Sequence, residues 1–149
     1  MYQIQDSSEF ITALMDEKKT VQVFIETLKK EEEALIQGEI DNIDSLASDK
    51  TRLVEKLMSL GEQRSQFLLS QGLTTDSAGM NKWLAMNPDS TLQTLWGELL
   101  ELAKTAKQIN QANGLVISSQ LQHNQRAFSA LQSAAGNISL YGPKGQAFI

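Results

Sequence analysis

Apolar residues recur every three or four positions along most of the chain, and no stretch alternates with a period of two. This spacing is typical of amphipathic α-helices and not of half-buried strands. In the first segment the apolar positions form a heptad-like seam, built from Leu14, Val21, Leu28 and Leu35 with Phe10, Ile11, Phe24 and Ile25. Ser7 or Ser8 can cap this segment and Gly38 can end it, so the pattern predicts a helix over about 8–37.

The second segment repeats the heptad spacing with Leu46, Leu53, Leu60 and Phe67. Acidic residues near its start suit the positive end of a helix dipole, and Gly72 follows its end, which predicts a helix over about 40–71. Because the link around Gly38 is very short, the two helices are expected to fold back as an antiparallel hairpin. Charged residues such as Lys29, Lys30 and Glu31 to Glu33 are expected on the solvated outer face.

Residues 72–90 are rich in Gly, Thr, Ser and Asp, which is the composition of a linker. Within it, the apolar residues around Trp83 predict a short helix over about 77–86, capped by Thr75 or Asp76. Pro88 prevents this helix from continuing. A further apolar stripe then predicts a third long helix over about 90–134, whose part from Leu92 to Ile109 completes the hairpin's core.

Two interpretations exist for the middle and the end of the third helix. Asn113-Gly114 is a turn dipeptide, so a break there competes with a continuous helix, which the helical period of the flanking residues favours. Beyond this point Asn113 and Asn124 lie near the apolar face, yet Phe128 and Leu131 stay apolar. Either the helix simply extends past the hairpin and is partly exposed, or its apolar row faces a partner.

The chain is therefore expected to be all-α. A long antiparallel helical hairpin packs with a third long helix in an elongated, coiled-coil-like three-helix bundle, with a short linker helix and a flexible C-terminal tail over about 135–149. At 149 residues, a single helical domain over 1–149 is expected.

Charge is divided unevenly along the chain. Residues 1–101 hold 9 Lys and Arg against 18 Asp and Glu, a net −9, whereas the last 48 residues hold four cations and no acid, a net +4. The four cations, Lys104, Lys107, Arg126 and Lys144, are scattered among Gln, Asn and Ser. They form no basic stripe of the kind that phosphate binding needs, so nucleic acid is not expected as a partner.

The residues that catalysis requires are scarce. The chain has no Cys and one histidine, His123, so thiolate and histidine-based metal sites are not expected, and neither is a cofactor. No glycine-rich phosphate loop is present, and the paired carboxylates belong to helix ends and outer faces. No apolar stretch reaches the roughly 18 residues of a membrane span, and the N-terminus lacks a secretory signal. We expect a cytoplasmic protein that is not an enzyme and does not insert into a membrane.

Three segments near the C-terminus carry a resemblance to a known family. Asn110 to Ile117 reads Asn-Gln-Ala-Asn-Gly-Leu-Val-Ile, Gln120 to Asn124 reads Gln-Leu-Gln-His-Asn, and Ser139 to Gln146 reads Ser-Leu-Tyr-Gly-Pro-Lys-Gly-Gln. In this order and spacing they resemble the FlgN family of flagellar type III export chaperones. The resemblance extends upstream in looser form and covers nearly the whole chain.

The resemblance implies a cytoplasmic chaperone that binds a helical C-terminal segment of the hook–filament junction proteins FlgK and FlgL. Family behaviour assigns client binding to the C-terminal part of the chaperone, which corresponds here to Asn113, Ile117, Leu121, Asn124, Phe128 and Leu131. Tyr141 matches the tail tyrosine that is implicated in docking at the export gate protein FlhA. An alternative role for Tyr141 is to hold the tail against the helices. The heptads alone also allow a self-associating coiled-coil structural or scaffold protein.

Overall fold

The computed structural model describes residues 4–135, apart from the side chains of residues 120, 121, 124, 128, 132, 134 and 135. Four helices follow one another: α1 (Ser7–Gln37), α2 (Ile40–Ser70), α3 (Ser77–Met86) and α4 (Ser90–Ala135). No strand occurs among the described residues, and the predicted all-α class is confirmed. Residues 136–149, which hold nearly all of the predicted tail, lie outside the described range.

The hairpin of α1 and α2 is set by two local signals. The Asp6 carboxylate accepts a hydrogen bond of 2.8 Å from the Glu9 backbone N–H, so Asp6 is the N-cap, and the prediction of Ser7 or Ser8 was wrong. At the other end Gly38 adopts φ 71°, a left-handed conformation that favours glycine. Only Gly38 and Glu39 separate the two helices, and the chain reverses between them.

The chain divides into two compact units, with the boundary between Asn110 and Gln111 inside α4. The single domain predicted over 1–149 stays a prediction. In the first unit the core is one cluster of buried side chains from all four helices, among them Leu14, Leu28, Leu68, Met80 and Leu99. The seam predicted for the hairpin therefore forms the centre of the first unit.

An aromatic cluster closes the core at the end of the hairpin that is remote from Gly38. Phe10 of α1 and Phe67 of α2 stack with ring centroids 4.2 Å apart. Trp83 of α3 meets Phe10 edge-on at 4.7 Å and Phe67 at 6.3 Å. Trp83 is 1% exposed, so the linker helix is anchored in the core by its largest side chain.

The linker helix is also fixed by tight backbone packing. The Asp76 carboxylate caps α3 by accepting from the Gly79 N–H at 3.0 Å, and the Thr74 hydroxyl donates to the same oxygen. These hydrogen bonds, the Thr74 one first, hold the pKa of Asp76 below its ordinary value. A Cβ at Gly79 would lie 1.7 Å from the Thr74 carbonyl oxygen, so no other residue fits there without a backbone shift.

Lys50 of α2 makes an ion pair with α1 and a hydrogen bond with the middle of α4. Glu31, predicted on the solvated face, is instead 2% exposed and accepts from the Lys50 Nζ at 3.1 and 3.2 Å. The same Nζ donates to the Asn110 Oδ1 at 2.8 Å. The prediction for Glu31 was wrong because it stands in a run of three acidic residues, of which Glu32 and Glu33 are exposed. The sequence alone does not show which of the three faces inward.

Arg64 makes a second polar link across the first unit. Its guanidinium donates to both carboxylate oxygens of Glu17 at 3.0 and 3.2 Å. The same group lies 5.3 Å from the centre of the Trp96 ring, which is a cation–π distance. On the opposite border of α1, Lys18 pairs with Glu98. Side chains of α1 and α2 thus hold the first turns of α4 in register.

Replacing Trp83 by Ala is expected to lower the free energy of unfolding by about 3–5 kcal/mol, since a fully buried aromatic side chain leaves a cavity. Urea denaturation followed by circular dichroism measures the change. Met86→Ala is the control on the same helix, because Met86 is 61% exposed and its loss uncovers little. Equal effects of the two substitutions would contradict the anchoring role of Trp83.

Candidate functional site

α4 continues without a break from Ser90 to Ala135, so the competing interpretation of a break at Asn113-Gly114 is wrong. A Cβ at Gly114 would meet nothing within 4 Å. Glycine at this position is therefore not required by packing, and it costs the helix about 1 kcal/mol relative to Ala. The predicted client-binding residues all lie on this one helix.

Within the first unit, the apolar seam of α4 is used by the core. Leu92, Leu99 and Ala106 lie seven residues apart and are 6%, 4% and 4% exposed. Asn113, the next position at this spacing, lies in the second unit and is 3% exposed. The role of Asn113 as a client contact stays a prediction.

In the second unit, several large apolar side chains are exposed. Ile117 is 38% and Leu131 is 53% exposed, as expected for a surface that binds a partner. They are two heptads apart, so they lie on one face of α4 and are separated by about 21 Å along its axis. Position 124 lies midway between them on the same face of the helix backbone. We call Ile117, Leu121, Asn124, Phe128 and Leu131 the α4 row.

The remaining predicted site residues cannot be placed. The side chains of Leu121, Asn124 and Phe128 lie outside the described part of the chain, and so does all of Tyr141. The structure thus brings Ile117 and Leu131 to one face, and the contacts of the other members of the α4 row stay a prediction.

Two exposed residues were missed by the sequence analysis. Leu115 is 73% and Val116 is 44% exposed. Together with Ile117 they form three consecutive apolar residues on one helix. Three consecutive residues span about 200° of a helix, so a run of this kind exposes apolar surface unless the helix is covered on most sides. The run Leu115-Val116-Ile117 was therefore the signal that could have identified them.

The electrostatics of this part of α4 are simple. From Leu102 to Ala135 the charged side chains are Lys104, Lys107 and Arg126, all exposed, and there is no carboxylate. No group of three potential metal-ligating side chains occurs among the residues that the structure describes. None of the described helices has an apolar stretch long enough to cross a membrane. Chemically, this surface is suited to apolar and amide contacts.

Comparison with protein families matches residues 1–147 to the family described as FlgN protein. A Flagella synthesis protein FlgN from Yersinia enterocolitica is 29% identical over 123 residues, which cover 70% of this chain and 83% of the relative. The protein of the same name from Proteus mirabilis is 28% identical over 127 residues, which cover 80% of this chain and 77% of the relative. No solved structure matches the chain.

Leu131→Ser is expected to leave the thermal unfolding midpoint nearly unchanged, because Leu131 is already half exposed and its replacement uncovers little apolar surface. Leu99→Ser is the matched control, since it makes the same exchange on the same helix at a residue that is 4% exposed. Leu99→Ser should lower the free energy of unfolding by at least about 2–5 kcal/mol, the cost of truncating a buried Leu. Comparable losses would mean that Leu131 is a core residue.

Proposed function

The chain belongs to the FlgN family, and from this premise we propose that it is a cytoplasmic export chaperone without enzymatic activity. The relatives are named Flagella synthesis protein FlgN, which supports a role for this chain in flagellum synthesis. The proposed clients are the hook–filament junction proteins FlgK and FlgL. In this proposal the chaperone binds their C-terminal helical segments, keeps them competent for export and delivers them to the flagellar type III export gate.

The observation that carries the proposal is the exposed apolar surface of α4. The helix buries Leu92, Leu99 and Ala106 in the core of the first unit but leaves Ile117 and Leu131 exposed. Large aliphatic side chains at heptad spacing are the feature that helix-in-groove and helix-pairing recognition uses. The α4 row is the proposed client-binding surface, and the uncharged amide of Asn124 would fix the register of the client helix.

The expected strength of binding suits a chaperone that must release its client. Burial of Ile117, Leu121, Phe128 and Leu131 would contribute about 1.5–3 kcal/mol each. Ordering a flexible client segment and immobilising the two proteins oppose this gain. The net affinity is then in the micromolar to nanomolar range, which allows transfer at the export gate. Asn113 also belongs to the predicted client-binding surface, and its side chain is 3% exposed.

Delivery is assigned to a different residue. The resemblance of Leu140-Tyr141-Gly142 to the tail of the family supports a role for Tyr141 in docking the loaded chaperone at the export gate protein FlhA. A tyrosine combines an apolar ring with one hydrogen-bonding hydroxyl, so a single side chain can provide both affinity and orientation. Client binding and gate docking would then depend on separate residues.

Changing Ile117, Leu121, Phe128 and Leu131 together to Ala is expected to abolish co-purification with FlgK and FlgL. The melt of the hairpin followed by circular dichroism should barely move, because the hairpin core lies in the first unit. Leu100→Ala is the control, since Leu100 is 50% exposed on α4 but lies outside the α4 row. Retained client binding by the quadruple variant, or a stable oligomer in light scattering that forms without client, would contradict the proposal.

Tyr141→Ala is expected to leave client binding intact and to block secretion of FlgK and FlgL, because docking needs the aromatic side chain. Tyr141→Phe separates the contribution of the ring from that of the hydroxyl. Secretion assays and co-purification from the same cells measure the two steps. Normal motility of a Tyr141→Ala strain would refute the docking role.

A further inference from the structure

α2 carries a second apolar stripe that is not part of the core. Its members are uncharged and follow heptad-like spacings of seven, four, three, four and three residues. They are Ile40, Ala47, Thr51, Val54, Met58 and Gly61. We call them the outer α2 stripe. All are exposed except Gly61, which is half-buried.

The stripe lies on a different face of α2 from the core. At 100° per residue its members fall within an arc of about 80°, centred about 140° away from the positions of Leu53, Leu60 and Phe67. Those three positions belong to the core face, where Leu60 is 7% and Phe67 is 2% exposed. The stripe spans about 32 Å along the helix at 1.5 Å per residue. α2 therefore has two seams, of which the core covers one.

The exposed side chains of the stripe are large enough to matter for binding. Ile40 is 72%, Val54 is 40% and Met58 is 70% exposed. Ala47 and Thr51, which lie between Ile40 and Val54, are small, and so is Gly61 after Met58, so a second helix can approach the backbone closely. Scattered surface hydrophobics need no explanation, but a row of this length without a charged member is a common feature of helix-pairing surfaces.

The charges along the border of the stripe indicate the kind of partner. Asp44, Glu55 and Glu62 lie beside it on the side away from the core face, and all three are exposed. Within the described part of the chain none of them forms an ion pair, whereas every cation of α2 does: Lys50, Arg52, Lys56 and Arg64. The border is thus left with uncompensated negative charge.

We propose that the outer α2 stripe docks an α-helix of another protein, with a heptad apolar seam bordered by Lys and Arg. In paired helices the residues that border the seam form ion pairs across the interface and select the partner. A second copy of this chain that docks antiparallel through the same stripe would place the acidic borders side by side, which is repulsive. This surface lies in the first unit, so the inference goes beyond client binding by the α4 row and does not depend on it.

Two synthetic 28-residue helices test the proposal, one with Leu in the seam and Lys at the bordering positions, the other with Glu at those positions. Fluorescence anisotropy measures their binding to the full-length chain at concentrations where the peptides are monomeric. The Lys peptide should bind at least tenfold more tightly than the Glu peptide. The double substitution Val54→Ser/Met58→Ser should weaken binding of the Lys peptide at least tenfold, and it does not change the protein's charge. Glu55→Gln/Glu62→Gln should weaken it several-fold.

Met86→Ser is the matched control, because it exchanges an equally exposed methionine on α3, and it should change Lys-peptide binding less than twofold. If the Lys peptide binds Val54→Ser/Met58→Ser as tightly as the unchanged protein, its binding is only general attraction between a basic peptide and an acidic protein. That result would overturn the proposal. No binding of the Lys peptide would overturn it as well. So would a dimer in sedimentation velocity that this double variant dissociates, because the occupant would then be a second copy.

Discussion

Three helices meet where the rings of Phe10, Phe67 and Trp83 pack together. This aromatic contact determines how the rest of the first unit is built. A two-helix hairpin shares a single seam and leaves part of each helix uncovered. The Trp83 ring, set edge-on against the stacked phenylalanines, attaches the linker helix to the hairpin. Because α3 is anchored there, α4 begins beside the hairpin, and its first apolar positions complete the core. Gly79 contributes to this anchoring, because its lack of a side chain allows α3 to pack against the backbone of Thr74.

Buried polar contacts add specificity to this apolar core. Glu31 lies inside the bundle and is matched by Lys50, which also holds the Asn110 side chain. A buried ion pair contributes little net stability, but an alternative register would leave one of its charges without a partner. The Glu17–Arg64 pair and the Trp96 ring beneath the Arg64 guanidinium act in the same way further along α2. Together these contacts fix the register of α4 up to the boundary of the first unit.

The sequence predicts the helices well because their period, their glycine ends and Pro88 act locally. The burial of Glu31 could not be predicted, since it depends on which of three successive acids faces Lys50 across the hairpin. The capping residue Asp6 was missed because the adjacent Ser7 and Ser8 are equally suitable cap residues. In the candidate site, Ile117 is 38% and Leu131 is 53% exposed, whereas Asn113 is 3% exposed. These exposures could not be predicted, because the apolar period of a helix does not specify which of its positions another segment covers.

We propose that folding and binding are separated along α4: the part up to Asn110 stabilises the first unit, and the part beyond it would offer its exposed apolar side chains to a client. Hydrogen exchange of the full-length chain, measured by mass spectrometry with and without the C-terminal helical segment of FlgK, tests this division most directly. We predict that the FlgK segment increases the protection of amides from Gln111 to Leu131 at least tenfold and leaves the protection of amides in α1 and α2 unchanged. Protection confined to α1 and α2, with no change beyond Asn110, would contradict it.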